Sequence, residues 1–199
     1  MRTSRKIKVS NDVAVFWPPV QSTDNDLNGL DVIELAILGA IAGRMTSLAE
    51  LIDMVKCLAG EAWKPATEVI KHGIQVGVAK KFIHSNESWV LSIPFLYSIT
   101  GMGAKRLREL LELPLPSFEN PITEGASEVK FGLLDKVKSP NVLSIAEDLE
   151  LYYRYAKQEL EERRNCLGQG RSHLSIAMAA RIERINIRLR VIGDLRNHC

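Results

Sequence analysis

Between Lys64 and Lys81 the chain carries four lysines and a single acid, Glu68. Ala66, Ile70 and Ile74 recur every fourth residue there, which predicts a helix opening at Pro65 with one face held on a core. The same geometry turns Thr67, Glu68, Lys71, His72 and Gln75 outward. These side chains suit duplex DNA. Lys64 and Lys71 reach phosphates, Gln75 pairs with the edge of adenine, Lys71 with guanine, and Thr67 with a phosphate or a thymine methyl. Lys80 and Lys81 add charge beyond the helix, and Asn86 is expected at the tip of a following turn, within reach of a minor groove. The competing reading is a plain solvated helix face, on which Glu68 would repel phosphate. Gly73 and Gly77 each cost a helix about 1 kcal/mol relative to alanine, so they mark either close packing or a helix released from its task.

Other chemistries find little support. The four histidines show no metal-ligand spacing, and three cysteines (Cys57, Cys166 and Cys199) are too few and scattered for a disulfide framework. No Ser/His/Asp order, phosphate-binding glycine loop or paired carboxylate cluster is present, so neither an enzyme nor a cofactor is expected. Cys57, among apolar residues, is expected to be a buried, inert thiol. A net charge of +2 with 46% hydrophobic and 25% charged residues is ordinary for a globular chain and does not announce a nucleic-acid binder. Residues 31–113 hold nine basic and nine acidic side chains, so any electrostatic footprint must come from local placement. With no apolar run of membrane-spanning length, a soluble cytoplasmic protein without a membrane partner is expected.

The elements that must position the lysines follow in order. A first helix starts near Asp31 as N-cap and ends at Gly43; Val32, Leu35, Ile37, Leu38 and Ile41 make it apolar on most sides, as for a buried helix. Thr46 or Ser47 caps a second, with Glu50 at capping-box spacing from Ser47, and Leu48, Leu51, Ile52, Val55 and Leu58 form its stripe. After the third helix the period changes. Phe82-Ile83 starts a strand, His84–Ser88 reads as a polar turn, and Trp89–Ile93 returns. Pro94 interrupts that return before Phe95–Ile99, and Thr100 caps a helix through Glu112. Three helices, a hairpin and a helix are the layout of a winged helix-turn-helix, whose third helix lies in a DNA groove.

Pro114, Pro116 and Pro121 mark a linker. The predicted organisation is an arm over 1–30, a winged domain over 31–113, a Pro-rich linker over 114–127 and a helical dimerisation domain over 128–199. In the arm, Phe16-Trp17 is too apolar to stay in water. Val129, Phe131, Leu133, Leu134 and Val137 form a short amphipathic piece. Two long helices follow, with stripes of Ile145, Leu149, Tyr152, Ala156 and Leu160 and of Leu174, Met178, Ile182, Ile185, Leu189, Ile192 and Leu195. With little else to pack on, those stripes are expected to meet a second copy. Tyr152, Tyr153 and Tyr155 would be interface residues, or less readily ligand contacts. Trp63 is expected to bridge the second and third helices, and Trp89 to pack.

Ile37-Leu38-Gly39, Glu50-Leu51, Trp63-x-Pro65 and Leu96-Tyr97-Ser98-Ile99-Thr100-x-x-Gly103 stand in the order seen in PadR-type regulators. Over residues 32–197 the chain resembles that family, looking closest to the subgroup with the longer C-terminal domain that includes virulence-gene activators. The resemblance implies a homodimeric transcription regulator on a two-fold symmetric DNA site, with a small aromatic effector as a further partner in a pocket between the subunits that Trp63 would wall. Several departures fall on the family's DNA-facing groups. Leu48-Ala49 replace Gly-Tyr, Ala66-Thr67-Glu68 replace Ser-Pro-Gly, Lys71 replaces a tyrosine and Lys81 a glycine. The alternative function is a scaffold of this type that no longer reads DNA and serves protein interaction or small-molecule sensing.

Overall fold

A computed structural model describes residues 27–60, 63–86, 95–116, 122–134, 142–166 and 172–198. The arm with Phe16 and Trp17, the segment holding Trp89, and Cys199 lie outside these. The central element is α1 (Gly29–Ala40). Its N-cap is Asn28 rather than Asp31. The Asn28 side chain accepts from the backbone N–H groups of Leu30 and Asp31, while the Asp31 carboxylate accepts from the N–H of Asn28. Asp31 is thus the fourth member of a capping box, and the helix starts three residues before the expected position. The run from Leu35 to Ile41 is almost wholly buried, because α2 (Leu48–Ala59), α3 (Thr67–Ala79), α4 (Gly101–Glu112) and α5 (Ile122–Leu133) all pack on α1. Ser47 and Glu50 form the expected capping box of α2, and hydrogen bonds from Ser47 hold the Glu50 carboxyl below its ordinary pKa.

Three antiparallel strands, β1 (Thr46–Ser47), β2 (Ile83–Asn86) and β3 (Leu96–Ile99), are ordered β1-β3-β2. In register, Thr46 faces Tyr97, Ile83 faces Ile99 and Asn86 faces Leu96. A mainly helical chain with the β2–β3 hairpin between α3 and α4, and β1 just before α2, is a winged helix-turn-helix followed by further helices. One expectation is corrected. His84, Ser85 and Asn86 belong to strand β2, because backbone pairing to β3 outweighs their polar side chains. β1, two residues long, left no alternating pattern to read.

α5 overlaps the expected linker, since residues 122–127 are helical. It packs on the winged part and not apart from it. Gly39 of α1 lies under Leu133, and Gly125 of α5 lies under the Trp63 side chain, where an added Cβ would meet Trp63 Cβ at 2.7 Å. Trp63 therefore joins the α2–α3 connection to α5. On its other side α5 meets α6 (Val142–Cys166) and α7 (His173–His198). There Arg181 pairs with Glu124 at 2.6 Å, and Arg188 pairs with Glu128 beneath the rings of Phe131 and Tyr153. Desolvation pushes the Glu128 carboxyl up, and Arg188 partly opposes that.

One cation lies inside this core. Lys130 is fully buried, and burial pushes its ammonium down to about 8, with Asp148 of α6 pulling the other way. The unfolded chain holds this proton up to about pH 10.5 and the folded chain only to about 8, so over that window unfolding takes up a proton. Stability relative to a Lys130→Met variant is therefore expected to rise as pH climbs from 8 to 10.5. Chemical denaturation across that range measures it, and parallel pH profiles would refute it.

Among the described residues, no helix is long and apolar enough to cross a membrane.

Candidate nucleic-acid interface

α3 is held against α1 through its glycines. A Cβ on Gly73 would stand 2.8 Å or less from Ile33 and Ile37, and one on Gly77 would stand 2.6 Å from Ile83. The propensity cost of both residues is thus offset by close helix packing. Ile70, Ile74 and Gly77 are buried, which leaves Glu68, Val69, Lys71, His72 and Gln75 exposed on the outer side. Lys64 is exposed just before the helix, and Thr67 is half-buried at its first turn. Pro65 does not occupy the first helical turn. It lies buried one residue before the N-cap, Ala66, which makes no side-chain cap.

The sequence reading missed two residues on this face. Lys56, in the last turn of α2, donates from Nζ to Thr67 Oγ1 at 3.0 Å, setting a further cation beside the start of α3. Its signal was its place one turn from the end of the second helix, which a helix-turn-helix brings against the third. Val69 adds an exposed apolar side chain to the same outer surface. Cys57, expected to be buried, is exposed, because α2 turns Leu51, Ile52, Val55 and Ala59 inward and Asp53, Lys56 and Cys57 out.

The exit from α3 is built around Lys81. The Phe82 N–H donates to the Gly77 carbonyl at 2.9 Å and the Lys81 N–H to Val78 at 3.0 Å, the two bonds of a Schellman close with Lys81 at the left-handed position, φ 61°. Glycine is usual there because a Cβ costs about 1–2 kcal/mol in that conformation. Lys81→Gly is expected to raise stability by roughly 0.5–1 kcal/mol, strain relief less the backbone entropy of a new glycine. It removes an exposed cation at the same time. Denaturant midpoints check the first effect, and an unchanged or lower midpoint would contradict it.

Thr100 fastens the hairpin to this exit. Its hydroxyl donates to the Lys81 carbonyl at 2.7 Å and accepts from the Gly103 N–H at 3.0 Å, while its own N–H donates to the Phe82 carbonyl at 3.0 Å. A Cβ on Gly103 would fall 2.1 Å from that Phe82 oxygen. The Thr-x-x-Gly spacing is therefore a joint between α3, the hairpin and α4. Lys80 is turned away from the outer face. Its ammonium sits 3.8 Å from Glu34 and 5.7 Å from the Phe82 ring centroid. Arg106 of α4 binds Asp31 at 2.8 Å and Glu34 at 3.5 Å, bolting α4 to α1. Asn86, expected at the hairpin tip, is an exposed strand residue opposite Leu96, and the tip itself lies outside the described residues.

No family model matches the sequence, and no curated protein matches it. Solved structures similar to the chain include Bacillus subtilis PadR in complex with operator DNA, with 15% identity, a TM-score of 0.40, and coverage of 84% of this chain and 98% of that one. Bacillus subtilis PadR in complex with p-coumaric acid is also similar, with 15% identity, a TM-score of 0.38, and coverage of 85% and 96%.

The C-terminal helices differ from their expected role. Ile145, Leu149, Tyr152, Ile182, Ile185 and Ile192, read as a surface for a second copy, are buried within one chain where α6, α7 and α5 pack together. Leu160, Met178 and Leu189 are half-buried there. A periodic stripe shows that a face is covered but not by which chain. A second stripe, Ile176, Ala180, Ile187 and Val191, runs along the exposed side of α7. A cavity of about 220 Å³ opens between α5, α6 and α7, lined by Tyr152, Tyr153, Arg181, Arg184, Arg188 and Glu128 among others. Burial pushes the Tyr152 hydroxyl up to about 12, so it stays neutral there. Trp63 does not line this cavity.

Proposed function

We propose that this protein is a DNA-binding transcription regulator that acts as a homodimer and lays the outer face of α3, with the adjoining hairpin, on duplex DNA. The observation that carries the reading is the exposed set Lys64, Lys71, His72 and Gln75, with Lys56 and Lys81 at its two ends, in a domain whose total charges balance. Phosphate contacts would come from Lys56, Lys64, Lys71 and Lys81, and base contacts from Gln75, His72 and Lys71. Thr67 would support from the first turn and Asn86 from the hairpin. Lys80 contributes to the field only, since its ammonium is shared with Glu34.

The second copy would dock on the exposed stripe of α7, centred on Ile187 and Val191, and not on the buried seam. Ile187→Arg is expected to convert the dimer to monomer with unchanged helix content. Sedimentation velocity checks this, and a persisting dimer would place the interface elsewhere.

A random-sequence duplex tests the DNA reading. Affinity should fall by orders of magnitude between about 50 and 200 mM salt, as released counterions require. No shift at the lowest salt would leave the alternative reading, a module of the same architecture that senses a small molecule or binds another protein. The arginine- and tyrosine-lined cavity is the feature favouring that alternative, and it is also where an aromatic effector of the regulator would enter.

A further inference from the structure

We propose that Lys130 is a positioning residue for the DNA interface: from α5 it pins the far end of α4, the strut that carries the hairpin. The Lys130 ammonium donates to the Leu111 carbonyl at 3.0 Å and also to the Leu113 carbonyl, the last acceptors of α4. These carbonyls need a donor from elsewhere. Leu113 is the C-cap and Pro114 follows it, so the residue that would ordinarily return an N–H to the helix end has none to give. α4 has no basic residue in its own last turn. A cation borrowed from α5 fills both needs, satisfying the carbonyls and complementing the helix dipole.

The placement makes this more than a cap. α4 spans twelve residues, about 18 Å, between two fixed joints. At its start Thr100 and Gly103 lock the hairpin to Lys81 and Phe82; at its end Lys130 locks it to α5. α5 in turn holds α7 through Glu124 and Glu128. The direction of the hairpin relative to the C-terminal helices, and so to a second copy, is set through this strut. The inference rests on the DNA reading for its purpose but not for its mechanics.

The experiment compares Lys130→Met with Ile192→Val, a core change in α7, in the full-length protein at a temperature where both are folded. Rates are normalised to each variant's global stability. Amide exchange of β2, β3 and residues 100–103 is expected to speed about tenfold in Lys130→Met and to stay near wild type in Ile192→Val. Affinity for the random duplex should fall about tenfold in the first and remain unchanged in the second. Faster exchange confined to residues 110–113, or equal in both variants, would reduce Lys130 to a local cap and overturn the proposal. If the wild type binds no duplex, the DNA reading falls and the exchange result alone decides the role of Lys130. If Lys130→Met does not fold, Lys130→Gln, which keeps N–H donors without the charge, goes through the same comparison.

Discussion

Lys71→Glu is expected to abolish duplex binding, a loss on the order of 100-fold or more, while the protein folds and associates as before. Lys71 stands exposed on the outer side of α3, one turn before Gln75, with Ile70 and Ile74 buried behind it. The change removes one phosphate contact and places a carboxylate against the backbone. Breaking a close charge pair in such an interface costs about 2–5 kcal/mol, and repulsion adds to that. The folded state has no comparable stake, because α3 is held by Ile70, Ile74 and the glycine contacts to α1 and Ile83. Fluorescence anisotropy on a labelled duplex measures the loss. Unchanged affinity would mean that another face meets the DNA.

The largest effect on stability is expected at Gly103. In Gly103→Ala the new methyl would lie 2.1 Å from the Phe82 carbonyl oxygen and 2.9 Å from its carbon. Both are backbone atoms, held by the Thr100 N–H bond at 3.0 Å, so neither moves aside as a side chain tip would. Relief requires shifting α4 from the hairpin, which breaks that bond and both bonds of the Thr100 hydroxyl. Overpacking costs about 1–3 kcal/mol and each of the three lost hydrogen bonds about 1 more, so a loss of roughly 4–6 kcal/mol is expected. Urea unfolding checks it. A loss below about 1 kcal/mol would mean that the joint yields easily. Gly39→Ala offers a contrast. Its Cβ would meet the Cδ1, Cδ2 and Cγ atoms of the Leu133 side chain and not a hydrogen-bonded backbone, so its cost should be smaller.

Much of the fold was legible because its signals are local. Ser47 with Glu50 and Thr100 with Gly103 announce helix starts through side chains only a few residues apart. The buried character of α1 followed from apolar residues on most of its sides. What escaped depends on distant partners. Asp31 looked like an N-cap, whereas the cap is the Asn28 that it serves. Nothing in the sequence beside Lys130, between Val129 and Phe131, marks it as buried. Its burial comes from a proline-terminated α4, seventeen residues upstream of it at Leu113, that supplies no donor of its own. The seam through Ile182, Ile185 and Ile192 was visible, but its partner, α6 of the same chain, was not.

At the site, the exposure of Glu68, Lys71, His72 and Gln75 was readable from helical spacing alone, whereas Ala66, expected inward, is exposed as the N-cap and Thr67 is half-buried. The contribution of Lys56 depends on the angle between α2 and α3, and the withdrawal of Lys80 depends on Glu34 lying within 3.8 Å. The family-like glycine position at Lys81 was recognised, but its left-handed backbone, which explains why glycine is usual there, needed the structure.

The most direct measurement places a photoreactive benzoylphenylalanine at His72 in the full-length protein, with a control at Arg164, exposed near the end of α6. Irradiated with a bound duplex, the first is predicted to form a covalent adduct with DNA and the second none. A duplex that binds but is captured only from position 164, or equally from both, would contradict the assignment of α3 to the groove.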